Sequence, residues 1–154
     1  MARERWLSIK VELLSGGGLV LERHPGRVMI ASPRHTLAEL AEAIDLAFAR
    51  WDHSHLHEFE FGEGRRYMLG GSEFEPEVMD STGARLSALD LGPESAFEYV
   101  FDIGDDWRHH CEVQATDVDP AEEYGSPPEQ PVPIWGWGWI PDQYGRLSEE
   151  GDEE

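Results

Sequence analysis

The chain has 154 residues, enough for one domain with its own core, and its single cysteine, Cys111, excludes an internal disulfide and fits a reducing cytosol. Its net charge of -20, from 32 acidic and 12 basic side chains, argues against direct binding to nucleic-acid phosphates. No run of about 18 apolar residues could cross a membrane. Met1–Lys10 also lacks the apolar stretch of a secretory signal, so we expect a cytoplasmic protein.

The first predicted elements are β-strands. Residues Trp6 to Leu14 alternate between apolar and polar side chains, which predicts a half-buried strand. A glycine-rich turn at Ser15–Gly18 leads to a predicted return strand over Leu19–Arg23, and strand character resumes over Arg27–Ala31. These segments give the chain a β-β opening.

The clearest predicted helix begins at Thr36. Thr36 is a good N-cap residue, and Glu39 three residues later completes the pattern of a capping box. Apolar residues then recur at helical spacing, which predicts one buried stripe. The stripe consists of Leu37, Leu40, Ala41, Ile44, Phe48 and Trp51.

Beyond this helix the apolar period changes to two, which predicts further strands. The first carries on one face, in order, His55, His57, Phe59 and Phe61. Arg65–Leu69 would return beside it. Two longer alternating segments, Phe97–Ile103 and Trp107–Ala115, predict a long C-terminal β-hairpin.

The predicted fold class is therefore α+β, with a mixed sheet, one main helix and a β-grasp-like β-β-α-β-β start. A single domain is expected over residues 1–147, followed by an acidic tail over residues 148–154. Within the domain, residues 120–147 form a segment rich in proline, glycine and tryptophan. Its composition argues against a helix or a regular central strand.

Histidines form the first candidate site. His55 and His57 point to the same side of a strand, roughly 7 Å apart, and could chelate one metal ion. His109 could complete the set, with Asp105 as a fourth ligand or supporting group, and such ligands suit zinc, manganese or iron. His53 lies too far along a straight strand to share that ion, and could join it only if the chain bends near Ser54. The alternative is that these histidines cap the end of the core, each hydrogen-bonded to a carbonyl or carboxylate.

The segment from Asp102 to His109 is the second candidate site. Aspartate and glycine are typical of tight turns, so the simple interpretation of Gly104-Asp105-Asp106 is a structural turn. The other interpretation is that this segment approaches the first histidines, so that His55, His57, Asp102, Asp105, Trp107 and His109 form one pocket in which histidine and aspartate hold a metal ion or act as a general base.

Three tryptophans, Trp135, Trp137 and Trp139, form the third candidate site. In an extended chain these alternate residues face one way. They could belong to an apolar strap laid over an exposed face of the sheet, or they could form an aromatic platform that binds a peptide or partner protein.

The order and spacing of two motifs resemble the plasmid pRiA4b ORF-3-like family. The motifs are the segment from Trp51 to Phe59 and the pattern Tyr99-x-Phe101-Asp102-x-Gly104-Asp105-x-Trp107-x-His109. By this resemblance, the signature positions are His55, His57, Asp102, Gly104, Asp105, Trp107 and His109. The resemblance extends through Pro127-Pro128-Glu129, after which Gln130–Pro133 replaces the family's usual acid, glycine pair and tyrosine.

The resemblance implies an association with plasmids and mobile elements, where such proteins are sometimes described as resolvase-like. A serine recombinase needs a nucleophilic serine among clustered arginines and a basic DNA-binding region. This acidic chain has scattered arginines and no such region, so we reject that activity.

Three functions remain open from the sequence. The first is a non-enzymatic module that binds another protein, since no nucleotide-binding loop or nucleophile motif is present. The second is a metal-dependent hydrolytic enzyme that uses the histidine and aspartate pocket. The third is an acidic mimic of nucleic acid that inhibits a nucleic-acid-binding protein. The sequence favours the first.

Overall fold

The computed structural model describes residues 4–50 and 56–141. The main helix is α1 (Leu37–Ala47), and a short helix, α2 (Pro120–Tyr124), lies near the C-terminus. The strands are β1 (Trp6–Gly16), β2 (Leu19–Val20), β3 (Gly26–Ala31), β4 (His57–Glu60), β5 (Arg66–Met68), β6 (Met79–Asp80), β7 (Ala96–Phe101), β8 (Trp107–Val118) and β9 (Val132–Trp137). Neither helix in the described part is long and apolar enough to cross a membrane.

The strands form one mixed sheet in the order β6-β5-β4-β7-β8-β1-β3-β9, with β2 paired to the end of β1. All neighbours are antiparallel except β5 and β6. A mixed sheet with one main helix agrees with the predicted α+β class. The β-grasp-like arrangement is not confirmed. In the sheet, β7 and β8 separate the early pair β1 and β3 from the later pair β4 and β5.

Helix α1 packs its predicted stripe onto one face of the sheet, called here the inner face. Thr36 caps the helix, and its hydroxyl and the Glu39 carboxylate form the expected capping box. The buried stripe residues are Leu37, Leu40, Ala41, Ile44 and Phe48. Trp51, the last residue of the predicted stripe, lies outside the described residues.

The segment after Asp119 differs from the prediction in two ways. It contains a turn of helix, α2, because Asp119 caps the N-terminus and Pro120 has a backbone angle suited to the first helical turn. It also contains a strand, β9, which pairs with β3 with one register shift; its place at the edge of the sheet agrees with the expectation of no regular central strand but not with that of a strap. The expectation of a strap laid over a face of the sheet is therefore wrong for residues 132–137.

Candidate functional site

The described histidines do not gather around one point. His57 on β4 and His109 on β8 lie on the inner face, and the ring of Tyr99 lies between theirs, with centroids 5.8 Å from His57 and 5.3 Å from His109. Among the described residues, no group of three or more histidine, cysteine, aspartate or glutamate side chains could hold a metal ion. His53 and His55 lie outside the described residues, so a metal site that involves them stays a prediction.

Both ring nitrogens of His109 are already engaged. Nδ1 lies 3.0 Å from the carbonyl oxygen of Tyr99 and donates to it, while Nε2 accepts from Nη2 of Arg50 at 3.1 Å. Burial, together with the charge of Arg50, holds the pKa of His109 well below its ordinary value. A neutral ring with no free lone pair can neither bind a metal ion nor take a proton. The predicted use of His109 as a ligand or general base therefore does not fit the structure.

Arg50 lies in an aromatic cage beneath the end of α1. Its guanidinium carbon is 5.7 Å from the ring centre of Phe48, 5.4 Å from that of Phe101 and 5.1 Å from that of Trp107. Nη1 also donates to the carbonyl of Phe48 at 3.0 Å. Burial lowers the pKa of Arg50 to about 10, and the nearby Asp45 carboxylate opposes that shift. The side chain therefore stays charged at neutral pH.

The end of α1 explains how Arg50 enters the core. Ala49 follows the C-cap with a positive φ of 59°. The backbone N–H of Arg50 then donates to the carbonyl of Asp45 at 2.8 Å, and that of Ala49 donates to Leu46. This Schellman motif reverses the chain, so that Arg50 returns beneath the helix.

Asp45 and Tyr99 complete the group that we call the buried polar cluster, which consists of Asp45, Arg50, Tyr99 and His109. The hydroxyl of Tyr99 donates to Oδ1 of Asp45 at 2.8 Å. Burial, together with the Asp45 carboxylate, raises the pKa of Tyr99 well above its ordinary value. Sequence reasoning missed this cluster, although an acidic residue directly after Ile44 of the apolar stripe was a detectable signal.

Hydrogen bonds hold the backbone of the acidic turn, which runs from Asp102 to Asp106. Asp102 has a positive φ of 58°, and its Oδ1 accepts from the backbone N–H of Asp105 at 3.3 Å. The Asp105 carbonyl accepts from Gly17 at 2.8 Å, which ties the turn to the end of β1. Asp105 is exposed, whereas His109 is fully buried. The predicted pocket that joins Asp105 to His109 is therefore wrong.

Trp107 is buried against the glycines of the β1 turn. Its ring lies so close to Gly16 that a Cβ atom there would overlap it. Its Nε1 and Nε2 of His57 are buried without a hydrogen-bond partner. Trp107 is therefore part of the core, where it forms one wall of the cage around Arg50, and it does not line an open pocket.

Trp135, Trp137 and Trp139, together called the tryptophan edge, lie on and just after β9. Trp137 packs over the backbone of Gly26, and its Nε1 donates to the carbonyl of His24 at 3.0 Å. The ring of Trp135 lies 5.3 Å from that of Trp137 but remains 65% exposed, and Trp139 is 45% exposed. The ring of Trp137 is thus anchored to β3 and the residues before it, while the rings of Trp135 and Trp139 face solvent.

A groove of about 320 Å³ adjoins the tryptophan edge. Its lining includes Glu22, Arg23, His24, Pro25, Trp137 and Trp139. Behind it, Nη1 of Arg27 donates to the carbonyl of Trp137 at 3.0 Å, and the Arg27 stem fills the space where Gly136 has no side chain. The alternation of tryptophan and glycine therefore sets rings on the outer side and leaves room for Arg27 on the inner side.

Comparison with known proteins identifies the family but no activity. The fold is similar to the crystal structure of a protein of unknown function from Methanosarcina mazei Go1, with a TM-score of 0.69, 22% identity, and coverage of 88% of this chain and 71% of that chain. No curated protein matches the chain. The sequence matches the family described as plasmid pRiA4b ORF-3-like protein over residues 8–132. This match spans most of the sheet, the main helix and the acidic turn, so the chain belongs to the plasmid pRiA4b ORF-3-like family.

Proposed function

We propose that the protein is a non-enzymatic interaction module that binds a segment of another protein at the tryptophan edge. The observation that carries this proposal is the exposure of Trp135 on β9 and of Trp139 just after it, where Trp137 and Arg27 fix the end of the strand. Tryptophan is among the residues that contribute most to protein interfaces, and rigid aromatic side chains lose little entropy on binding. β9 is also one of the two edge strands of the described sheet, so a partner strand could align beside it.

The burial of the polar cluster supports a non-enzymatic role. Asp45, Arg50, Tyr99 and His109 are each at most 5% exposed, and within the described part of the chain they contact one another, backbone carbonyls and aromatic rings. A substrate could reach these groups only if the helix separated from the sheet. Their arrangement fits a role in holding α1 against β7 and β8.

The outer face of the sheet argues against mimicry of nucleic acid. Arg66 contacts Glu58 at 2.9 Å and Glu75 at 2.6 Å, and Arg108 contacts Glu60 at 3.2 Å and Asp106 at 3.1 Å. These arginines interrupt the carboxylates of this face with ion pairs, whereas a phosphate mimic needs uninterrupted rows of negative charge.

A metal-dependent hydrolytic enzyme is the second candidate, and it rests on His57. Its Nε2 is buried without a hydrogen-bond partner, and burial lowers its pKa, which keeps the ring neutral and able to bind a metal ion. Zinc, manganese or iron bound at near-stoichiometric level by the untagged protein, and lost in His57→Ala, would favour this candidate. Metal content unchanged by the substitution would remove it.

The proposed function can be tested with a displayed library of random peptides. We expect the wild-type protein to enrich peptides that bind at least about tenfold more weakly to a Trp135→Ala/Trp139→Ala variant. The control is Leu46→Ala/Phe74→Ala, because these side chains are 65% and 89% exposed on other parts of the surface. Enrichment of no peptide, or equal binding to the tryptophan variant, would overturn the proposal.

A further inference from the structure

We infer that the partner segment is extended and basic, and that its arginine or lysine side chains stack on the exposed rings of Trp135 and Trp139. This inference rests on the proposed function and specifies the chemistry of the ligand. It follows from three features of the molecule: its charge, the faces of the two rings and the position of β9.

The negative net charge of the chain favours a positively charged partner segment. The chain carries a net charge of -20, and Lys10 is its only lysine. Glu22 lines the groove beside Trp139 together with Arg23 and His24, so the attraction comes from the excess of carboxylates over the whole chain, five of them in Ser148–Glu154. A cationic segment is attracted by this field, whereas a second copy of the chain, equally acidic, is repelled.

The exposed rings select the side chains. A cation over the face of a tryptophan ring is held by the ring quadrupole, and arginine also stacks its planar group on the ring. The protein already uses this contact internally, where Arg50 lies over Trp107 and Arg27 lies over Phe48 at 5.6 Å. The planes of Trp135 and Trp137 are inclined by 44°, which leaves the outer face of Trp135 open to a partner.

The fold selects the shape of the ligand. β9 has six residues, and within the described sheet no strand pairs with its free edge, opposite β3. Side chains of an added strand point alternately to the two faces. An extended segment with a basic residue at every second position would therefore present its cations on the side of the tryptophan rings.

The test uses labelled synthetic peptides as long as β9, with arginine alternating with valine, measured by fluorescence anisotropy against the full chain. Two further peptides replace every arginine with glutamine or with glutamate. We expect the arginine peptide to bind at least about tenfold more tightly than either. We also expect Trp135→Ala/Trp139→Ala, which leaves the net charge unchanged, to remove at least about tenfold of that affinity.

Control variants separate ring contacts from general attraction. Leu46→Ala/Phe74→Ala should bind as the wild type does, and neutralising the five acidic residues of Ser148–Glu154 should weaken binding mainly at low salt. Equal binding of the arginine and glutamine peptides, or equal binding to the tryptophan variant, would overturn the inference. If the peptide library yields neutral or acidic ligands that depend on the tryptophans, the inference fails while the proposed function stands.

Discussion

Two clusters in this molecule combine tryptophan with arginine, and they use the pair in opposite ways. In the core, Arg50 is 4% exposed and lies among the rings of Phe48, Phe101 and Trp107. At the tryptophan edge, Arg27 lies behind the strand and fixes its backbone, so the rings of Trp135 and Trp139 face solvent.

The two clusters differ in burial, so we expect the cluster around Arg50 to stabilise the fold and the tryptophan edge to bind a partner. Every ring around Arg50 contacts the core on its other sides, so removing any member exposes or empties part of the interior. Trp135 and Trp139 contribute little to the core, and the backbone between them is fixed at Trp137 by hydrogen bonds to His24 and Arg27. We therefore expect substitutions in the first cluster to change folding and substitutions in the second to change binding.

The largest expected effect comes from Arg50→Met. The substitution keeps much of the volume but removes the donor to His109 and the positive charge beside the buried Asp45 carboxylate. Loss of one partner from a buried pair typically costs about 3–5 kcal/mol. Denaturant unfolding of the purified variant measures this loss directly.

Arg66→Met is the matched control, because Arg66 also contacts carboxylates but lies on the half-exposed outer face. We expect it to cost at most about 1 kcal/mol, since water screens such pairs. Similar costs for Arg50→Met and Arg66→Met would show that the buried polar cluster does not stabilise the fold.

Acid should weaken the fold through His109. Its folded pKa is depressed, whereas the unfolded chain takes up a proton near pH 6.5, the ordinary value for histidine. Stability that is complete above about pH 6.5 should therefore fall by about 1.4 kcal/mol for each pH unit below it, until His109 itself protonates. His57, whose pKa is also lowered, acts in the same direction.

Two measurements check this pH dependence. Denaturant unfolding of the wild type across that pH range should give this slope. The ring resonances of His109 in the folded protein should not titrate near pH 6.5. A normal titration of His109 would contradict its engagement by Arg50.

The smallest stability effect is expected at Ala49, in the turn that brings Arg50 into the core. Ala49 has a φ of 59°, where a side chain is strained and glycine is not. Ala49→Gly should therefore stabilise the protein by about 0.5–1 kcal/mol. Ala47→Gly, at the last residue of α1, should cost about 1 kcal/mol. A melting temperature that moves in the same direction for both variants would contradict the motif.

The local periodicity predicted much of the fold. The stripe and capping box of α1 agree with the structure, because both depend on residues close in sequence. The inward alternation of Phe97, Tyr99 and Phe101 agrees for the same reason. Trp135 and Trp137 lie on one side of β9, as their spacing predicted, whereas Trp139 follows Gly138 with its positive φ beyond the strand; the pairing of β9 with β3 was not predicted.

The site could not be predicted in the same way, because it depends on long-range contacts. The positive φ of Asp102 changes the direction of the chain after β7, so Ile103 and Asp105 are exposed instead of joining the inner face. Arg50 reaches His109 across 59 positions of sequence through the turn at Ala49. Periodicity carries no information about such a contact.

The most direct test of the account measures stability and binding on one preparation of Trp135→Ala/Trp139→Ala. Both rings are largely exposed, so we expect a change of at most about 1 kcal/mol in the free energy of unfolding. We expect the same sample to lose at least about tenfold in affinity for the peptides that the wild type selects. A loss of several kcal/mol in stability together with unchanged peptide binding would contradict the separation of a stabilising core cluster from a binding edge.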